Sequence, residues 1–492
     1  MDTDVAPLEG VPAATGVARE KQRRYTAARL EYWDGFAASA QRWERVRRYY
    51  QARLAEIYSF LAPPGAKVLE LGCGMGDLLA RLNPSHGVGV DLSPAMVETA
   101  KQRHPGLLFL QADAHGLDLG DKFDYIICSD LINDLWDVEQ VFRVAAAHAH
   151  PGTRLVLNTY SRVWEIPRRI AEGIGLVRPL LPQNWLDLGD VRNLLYLSGF
   201  EVIRGFREIL WPFWLPLLGV LLNKYLAKIA PFNWFALTNF VVARPVPHQP
   251  EGPEPVVTVV VPARNEEGNV KAIFDRVPSM GGGTELIFVE GHSKDDTCGA
   301  IEREIAARPG RPAKLFRQTG KGKGDAVRLG FANATGEVLM ILDADLTVSP
   351  EDLPRFYEVW RSGKGEYING VRLVYPMEKR AMRFFNLVGN WFFSRAFSWL
   401  LGQRIKDTLC GAKVLSRRHY ELIAANRGYF GHLDPFGDFD LIFGAARYNL
   451  RSVDLPVRYQ ERTYGDTNIQ RWRHGVLLLR MVLLACRRIK FI

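Results

Sequence analysis

The stretch Glu337-Val-Leu-Met-Ile-Leu-Asp343-Ala-Asp345-Leu-Thr-Val-Ser349-Pro350 sets two carboxylates one residue apart directly after an apolar run. That run, Val338 to Leu342, is long enough for one buried strand and too short for a typical helix. Asp343 and Asp345 then stand at the carboxyl end of a strand, where open α/β sheets bind ligands. Hard divalent cations take carboxylate oxygens and share them with substrate phosphates. A solvated acidic turn explains a lone Asp-x-Asp equally well, so the neighbouring elements must decide. Ser349 as a cap, Pro350 at the first helical position and Asp352 in the place of a capping-box acid predict a helix next.

Two earlier segments repeat the pattern of a strand that ends in polar groups, and a basic loop follows them. Val256 to Val261 is β-branched and runs into Pro262-Ala263-Arg264-Asn265-Glu266-Glu267. Glu285-Leu-Ile-Phe-Val-Glu290 precedes Gly291-His292-Ser293-Lys294-Asp295. Lys321-Gly-Lys323-Gly324-Asp325 is a basic loop leading into a helix, and its amides and lysines suit a diphosphate.

The chain has 492 residues, more than one ordinary core accommodates. Its 47% hydrophobic and 24% charged residues are those of a globular protein. Residues 1–18, rich in Ala, Gly and Pro, are expected to be disordered. Residues 19–243 form one α/β domain, opened by a basic, aromatic segment with helical stretches. Residues 244–255 contain five prolines and read as an extended linker. Residues 256–470 form a second α/β domain, and 471–492 a basic amphipathic tail.

Five scattered cysteines argue against a disulfide framework and for a reducing compartment. No signal pattern opens the chain, and no stretch reaches the roughly eighteen uncharged apolar residues of a spanning helix. The net charge of +9 comes with no nucleic-acid-binding motif, which speaks against a nucleic-acid partner. Basic clusters instead flank apolar stretches, as at Arg471-Trp-Arg473 and Arg487-Arg488-Ile-Lys490. This arrangement fits peripheral attachment to the cytoplasmic face of a membrane, although a solvated basic face fits any single cluster about as well. Leu210 to Leu222, with Trp211, Trp214 and the later Trp234, is a second candidate for lipid contact. The alternative there is a cap on the first domain, whose last strand falls at Phe240 to Ala243.

In the first domain, Val68-Leu-Glu70-Leu-Gly72-Cys-Gly74-Met-Gly76-Asp77 reads as strand, glycine turn and helix start. A dinucleotide fingerprint would need glycine where Asp77 stands. Gly87-Val-Gly-Val-Asp91-Leu92 supplies a second strand ending in an acid suited to ribose hydroxyls. Leu110-Gln-Ala-Asp113-Ala114 and Phe123-Asp-Tyr-Ile-Ile-Cys-Ser129-Asp130 follow in register. Over roughly residues 60 to 205 the series resembles the class I S-adenosylmethionine-dependent methyltransferases, with their Rossmann-like fold. The resemblance implies that Glu70, Gly72 and Gly74 line the methionine end of S-adenosylmethionine. It implies that Asp91 takes the ribose, Leu92 packs on adenine, and Asp113, next to Ala114, accepts from the adenine amino group. His115, Asn133, Asp134 and Trp136 are candidates for the acceptor side, with structural roles as the alternative.

The four segments of the second domain resemble the family 2 glycosyltransferases of the GT-A (nucleotide-diphospho-sugar transferase) fold. The resemblance implies that Pro262, Ala263, Arg264, Glu266, Glu290, Lys323 and Asp343 border a nucleotide sugar. Asp343 and Asp345 would hold Mg²⁺ or Mn²⁺ at its diphosphate. The family usually has Asp-Asp-Gly-Ser after its second strand, where this chain has Glu290-Gly291-His292-Ser293, which leaves the recognised base open. Gly370-Val-Arg372, Arg383, Asn390 and Asp407-Thr-Leu-Cys-Gly411-Ala-Lys413 resemble the polyprenyl-phosphate branch, with dolichol-phosphate mannosyltransferases and bacterial counterparts nearest. That branch implies an acceptor phosphate at Arg372, Arg383 and Lys413, with Arg462 from the closing basic loop. The aromatic, helix-like Met382 to Leu401, with basic residues at its start, suits an interfacial helix that presents a lipid acceptor, the alternative being a core helix. Asp438 and Asp440 stand where inverting enzymes of this fold keep a base.

Two functions follow as expectations. In one, a methyltransferase is fused to an inverting, metal-dependent glycosyltransferase that moves a sugar onto a polyprenyl phosphate. In the other, the sugar goes to a hydroxyl of a glycan or lipid, and the first domain is a non-catalytic cofactor-fold or membrane module.

Overall fold

Two seven-stranded sheets organise the chain, one on each side of a division between Val246 and Pro247. The computed structural model describes residues 16–247, 252–375, 384–429, 437–462, 464 and 471–492, apart from the side chains of 16, 18, 38–46, 384–388 and 471–474.

The first unit opens with one helix, Gly16–Leu61, of 46 residues. It contains no proline and is rich in Ala, Arg and Glu, so nothing breaks it before Pro63-Pro64-Gly65. Residues 16–18, expected to be disordered, form its first turn, and residues 1–15 lie outside the described part. The strands are β1 (Lys67–Leu71), β2 (His86–Asp91), β3 (Leu108–Gln111), β4 (Phe123–Cys128), β5 (Ala149–Tyr160), β6 (Phe200–Glu208) and β7 (Thr238–Pro245). Their order is β3-β2-β1-β4-β5-β7-β6. The first five are parallel, and β7 runs antiparallel between β5 and β6. Strand order therefore reverses between β1 and β4, which opens a crevice above their carboxyl ends. The strand expected over 240–243 is longer at both ends and lies inside the sheet. It continues through Arg244, whose buried guanidinium pairs with Glu201, to Pro245, so the extended segment begins later than residue 244.

In the second unit β8 (Val257–Ala263), β9 (Thr284–Glu290), β10 (Ala313–Arg317), β11 (Val338–Ile341), β12 (Tyr367–Val371), β13 (Lys413–Ser416) and β14 (Ser452–Pro456) lie in the order β10-β9-β8-β11-β13-β12-β14. β10, β9, β8 and β11 are parallel, and β13 is antiparallel to both β11 and β12. A β-branched core of Val257, Val259, Val261, Val338 and Ile368 holds the sheet. The carboxyl ends of β8 and β11 again mark a reversal of strand order. Beyond Asp345 the chain forms a 3₁₀ turn, Pro350–Asp352, and then the helix Leu353–Arg361. The expected capping box is absent. Ser349 donates to the Glu351 carboxylate and accepts from Arg276, while Asp352 pairs with Arg355 at 2.7 Å.

The helix Phe384–Leu401 buries Phe397, Leu400 and Leu401, and Phe397 packs 5.1 Å from Phe439. Its other side exposes Trp391, Phe392 and Trp399. One side of the helix therefore belongs to the core, as the alternative expected, and the other is exposed. Among the described residues no helix is long and apolar enough to cross a membrane.

Candidate active sites

All seven residues expected around S-adenosylmethionine, Glu70, Gly72, Gly74, Asp91, Leu92, Asp113 and Ala114, border one cavity of about 870 Å³. Gly74 adopts φ +52°, a conformation that glycine reaches without steric cost, and a Cβ there would meet no atom within 4 Å. Its N–H donates to Asp91 Oδ2 at 2.8 Å, and Ser93 N–H donates to Oδ1 at 2.9 Å, which fixes the carboxylate at the end of β2. Burial raises the Asp91 pKa, against the pull of those two amides. Burial also drives Glu70 well above its ordinary range, and Glu70 Oε2 is buried without a hydrogen-bond partner. Such an atom costs about 1–3 kcal/mol until a donor meets it. Asp113 Oδ1 accepts from the backbone N–H of His115 at 3.0 Å and lies 2.6 Å from its Nδ1. Burial opposes ionisation of Asp113, yet His115 holds its pKa below the ordinary value.

The acceptor-side candidates separate. His115 Nε2 accepts from Asp137 N–H at 3.1 Å, so both ring nitrogens brace the Asp113 loop and neither is left for an acceptor. Asn133 is fully buried, donates to Asn184 O at 2.6 Å and accepts from Tyr160 N–H at 3.1 Å. It is structural. His115, Asp134 and Trp136 all line the cavity, and Asn133 does not. Asp134 is held by Trp33 Nε1 at 3.2 Å, and Trp136 meets the Tyr25 ring edge-on at 5.2 Å. The helix Gly16–Leu61 thus supplies a wall of the site, and its run of aromatic and basic residues was the only signal of this in the sequence. Asp130 also lines the cavity, at φ 53°, and binds Tyr50 Oη at 2.9 Å and Asn158 Nδ2 at 2.5 Å.

In the second unit the carboxylates meet cations. Lys323 Nζ lies 2.6 Å from Asp343 Oδ1, and burial of both is offset by this charge pair, which raises the lysine pKa and lowers the aspartate's. Asp345 Oδ2 accepts from Arg462 Nη2 at 2.5 Å, and its Oδ1 accepts from Thr347 Oγ1 at 2.8 Å. Arg462 Nη1 also reaches to 3.8 Å of Glu266 Oε1. Burial, reinforced by Asp345 and Asp343, pushes Glu266 up to about 7 against Asn269 and Arg462. Glu290 Oε1 accepts from Ser293 N–H at 2.5 Å, and Asn265 Oδ1 from Lys294 N–H at 2.7 Å, so the ends of β8 and β9 are stitched together. Pro262 and Ala263 end β8 itself, and Arg264 follows with its side chain exposed. Among the described residues no three His, Cys, Asp or Glu side chains form a metal cage.

Two expected phosphate ligands are committed elsewhere. Arg372 forms a two-pronged pair with Asp407, Nε to Oδ2 at 2.7 Å and Nη2 to Oδ1 at 2.8 Å, in a buried setting. Lys413 is wholly buried and donates to Cys410 O at 2.7 Å and to Asn369 Oδ1 at 3.0 Å. Its third neighbour is Asp438 Oδ1 at 3.5 Å. A buried cation without such partners costs several kcal/mol, so both side chains are tied by their environment. Arg383 lies outside the described residues. Asp440 pairs with Arg427 at 2.6 Å. Asp438, at the start of the helix Phe439–Arg447, is buried with Oδ1 unmatched by any hydrogen bond.

Residues 43–204 match the family described as "Methyltransferase domain", and residues 258–422 match "Glycosyl transferase family 2". Among curated relatives, the dolichyl-phosphate hexose transferase of Haloferax volcanii is 29% identical over 47% of this chain and 93% of its own length. The undecaprenyl-phosphate 4-deoxy-4-formamido-L-arabinose transferase of Klebsiella pneumoniae is 24% identical over 43% of this chain, which spans 62% of that relative. A Thermotoga maritima structure, described as a SAM-dependent methyltransferase and possible histamine N-methyltransferase, is 19% identical over 44% of this chain and 99% of its own, with a TM-score of 0.35. The chain joins a methyltransferase domain to a family 2 glycosyltransferase domain.

Proposed function

We propose that the second unit transfers a sugar from a nucleotide sugar to a polyprenyl phosphate at a membrane surface, and that the first unit transfers a methyl group from S-adenosylmethionine. The observation that carries the sugar-transfer reading is the meeting of Asp343, Asp345 and Lys323 above the ends of β8 and β11. The names of the two polyprenyl-type relatives support the lipid-phosphate acceptor.

The donor set fits Mg²⁺ or Mn²⁺: two carboxylates, each now neutralised by one cation, leave the remaining ligands to a diphosphate. When bound, such an ion stabilises the charge of the departing nucleoside diphosphate. Lys323 and Arg462 pass from the carboxylates to the phosphates as the substrate enters. The bond between the anomeric carbon and the diphosphate breaks, and one to the acceptor oxygen forms on the opposite face, with inversion. A phosphate acceptor arrives ionised and needs no base.

A second reading rests on Asp438. Asp438 is buried at the start of the helix Phe439–Arg447, 3.5 Å from Lys413, and would serve as the base for a hydroxyl acceptor. Asp440 is less suited, because Arg427 already holds it.

In the first unit Glu70 Oε2 is an orphan acceptor beside an open glycine loop, which fits the ammonium of S-adenosylmethionine. That cofactor supplies an electrophilic methyl on a sulfonium, and the cavity walls align it with the acceptor. The exposed Trp391, Phe392 and Trp399 favour peripheral attachment to lipid.

The test is to incubate the full chain with a panel of nucleotide sugars, Mg²⁺ or Mn²⁺, and either undecaprenyl phosphate or a lipid bearing only hydroxyls. Label in a lipid-phosphate product supports the first reading. Label only in the hydroxyl lipid supports the second, and none with either rejects both.

A further inference from the structure

The methyl-transfer cavity contains two guanidinium groups, Arg47 and Arg178, that form no close ion pair with a described residue. Arg47 sits 4.4 Å above the Phe36 ring and Arg178 5.3 Å from the same ring. Both line the cavity, and Phe36, the ring that both approach, is buried. Arg178 Nη2 donates to Tyr32 O at 3.3 Å, but Nη1 is buried without a partner. Neither arginine forms an ion pair with any described residue. The nearby acids are hydrogen-bonded or paired with other groups, Asp130 with Tyr50 and Asn158, Asp134 with Gln183, Trp33 and Arg29, and Glu172 with Arg168 at 3.1 Å, and of these the Asp130 charge still acts on Arg47. A guanidinium stays charged at any working pH, and its fork matches an oxyanion. Two of them near one ring, with Arg178 Nη1 unpartnered, make a seat for a carboxylate or phosphate.

The same wall continues into an exposed apolar surface. The helix Glu165–Gly173 turns Arg168 and Ala171 to the cavity and leaves Ile166, Ile170 and the following Ile174 70%, 61% and 74% exposed. An amphipathic helix usually faces its apolar stripe inward; this one faces it out. Trp164 Nε1 donates to Phe235 O at 2.8 Å, which ties the helix to a second exposed segment with Phe232, Trp234 and Phe235. Pro212 and Phe213 of that segment line the cavity while Trp214 faces solvent. Residues 209–237 contain no acid; of their two lysines Lys228 is buried against Glu208, which leaves Lys224 as the cation of this apolar surface.

We propose that the methyl acceptor is an anionic amphiphile, held by its oxyanion between Arg47 and Arg178 while its apolar part lies on the Ile166–Ile174 and Trp214–Phe235 surface. The inference rests on reading this cavity as the methyl-transfer site. It places the substrate at a lipid surface, so the two units would draw on the same phase.

The probe is dodecyl phosphate, with dodecyl maltoside as its uncharged counterpart, added to the full chain saturated with S-adenosylhomocysteine. Saturation removes the cofactor's own carboxylate as a competing occupant. Hydrogen exchange should show protection of residues 28–50 and 165–180 by dodecyl phosphate and not by the maltoside. Arg47→Gln with Arg178→Gln should weaken that protection roughly tenfold to a hundredfold in concentration, the loss of charge-assisted hydrogen bonds. Arg47→Lys with Arg178→Lys, which keeps the charge and guards against a folding defect, should retain part of it. Protection by the maltoside, or unchanged protection in the Gln variant, overturns the proposal. So does a loss of S-adenosylhomocysteine affinity of about tenfold or more in that variant, since the arginines would then hold the cofactor. Failure of the wild type to bind S-adenosylhomocysteine at all would instead reject the methyltransferase reading beneath it.

Discussion

A Cβ on Gly411 would lie 1.7 Å from Asp343 Oδ2, so the Asp343 carboxylate occupies space that only a glycine leaves open. β13, which follows Gly411, is the antiparallel neighbour of β11, which precedes Asp343. The close approach therefore joins the two halves of the mixed sheet at the point where the nucleotide sugar is proposed to bind.

Gly411→Ala should push Asp343 out of place. A displacement of that kind costs catalysis about 100-fold, and overpacking adds about 1–3 kcal/mol of instability. Sugar-transfer assays and thermal melts check both, with S-adenosylhomocysteine binding expected to stay as in the wild type. Transfer at the wild-type rate would mean that Asp343 tolerates the shift.

Asp407→Ala leaves Arg372 buried with its charge unmatched, a change worth about 3–5 kcal/mol. Calorimetry should record a lower melting temperature for the second unit. Replacing both partners with Met and Leu should recover much of the loss, because the pair's burial and not its charge then sets the energy. No recovery would assign Arg372 a role beyond its partner.

Glu70 gives a pH signature. Burial raises its pKa in the folded chain, so the folded state holds that proton more tightly than the unfolded one. The stabilising contribution is complete below the ordinary carboxylate value and is lost as pH rises from there through the raised folded value. Glu70→Gln imitates the protonated form. Without cofactor, its melting temperature should gain on the wild type as pH rises from about 4.5 to 8, while its cofactor affinity falls. A difference independent of pH would remove Glu70 from the account.

Both folds were legible because glycine turns and strand-end acids are local: the Gly72–Gly76 loop and the Asp343–Asp345 pair need only a few contiguous residues. Roles that depend on burial were not. Arg372 and Lys413 sit in the right motif, yet whether a cation faces a ligand or a buried partner is decided by residues such as Asp407 and Asn369 that the motif does not single out as partners. Asn133 and His115 mislead for the same reason: a polar side chain near a strand end looks identical whether it braces a loop or meets a substrate. The Arg47–Phe36–Arg178 arrangement joins residues far apart in the chain, and no local spacing announces it.

The most direct test replaces Asp343 and Asp345 singly with Asn in the full chain. Transfer of labelled sugar to undecaprenyl phosphate and binding of S-adenosylhomocysteine are then measured on the same preparations. The account predicts loss of transfer by about 100-fold or more in each variant, with unchanged S-adenosylhomocysteine affinity. Transfer retained in both variants would contradict it.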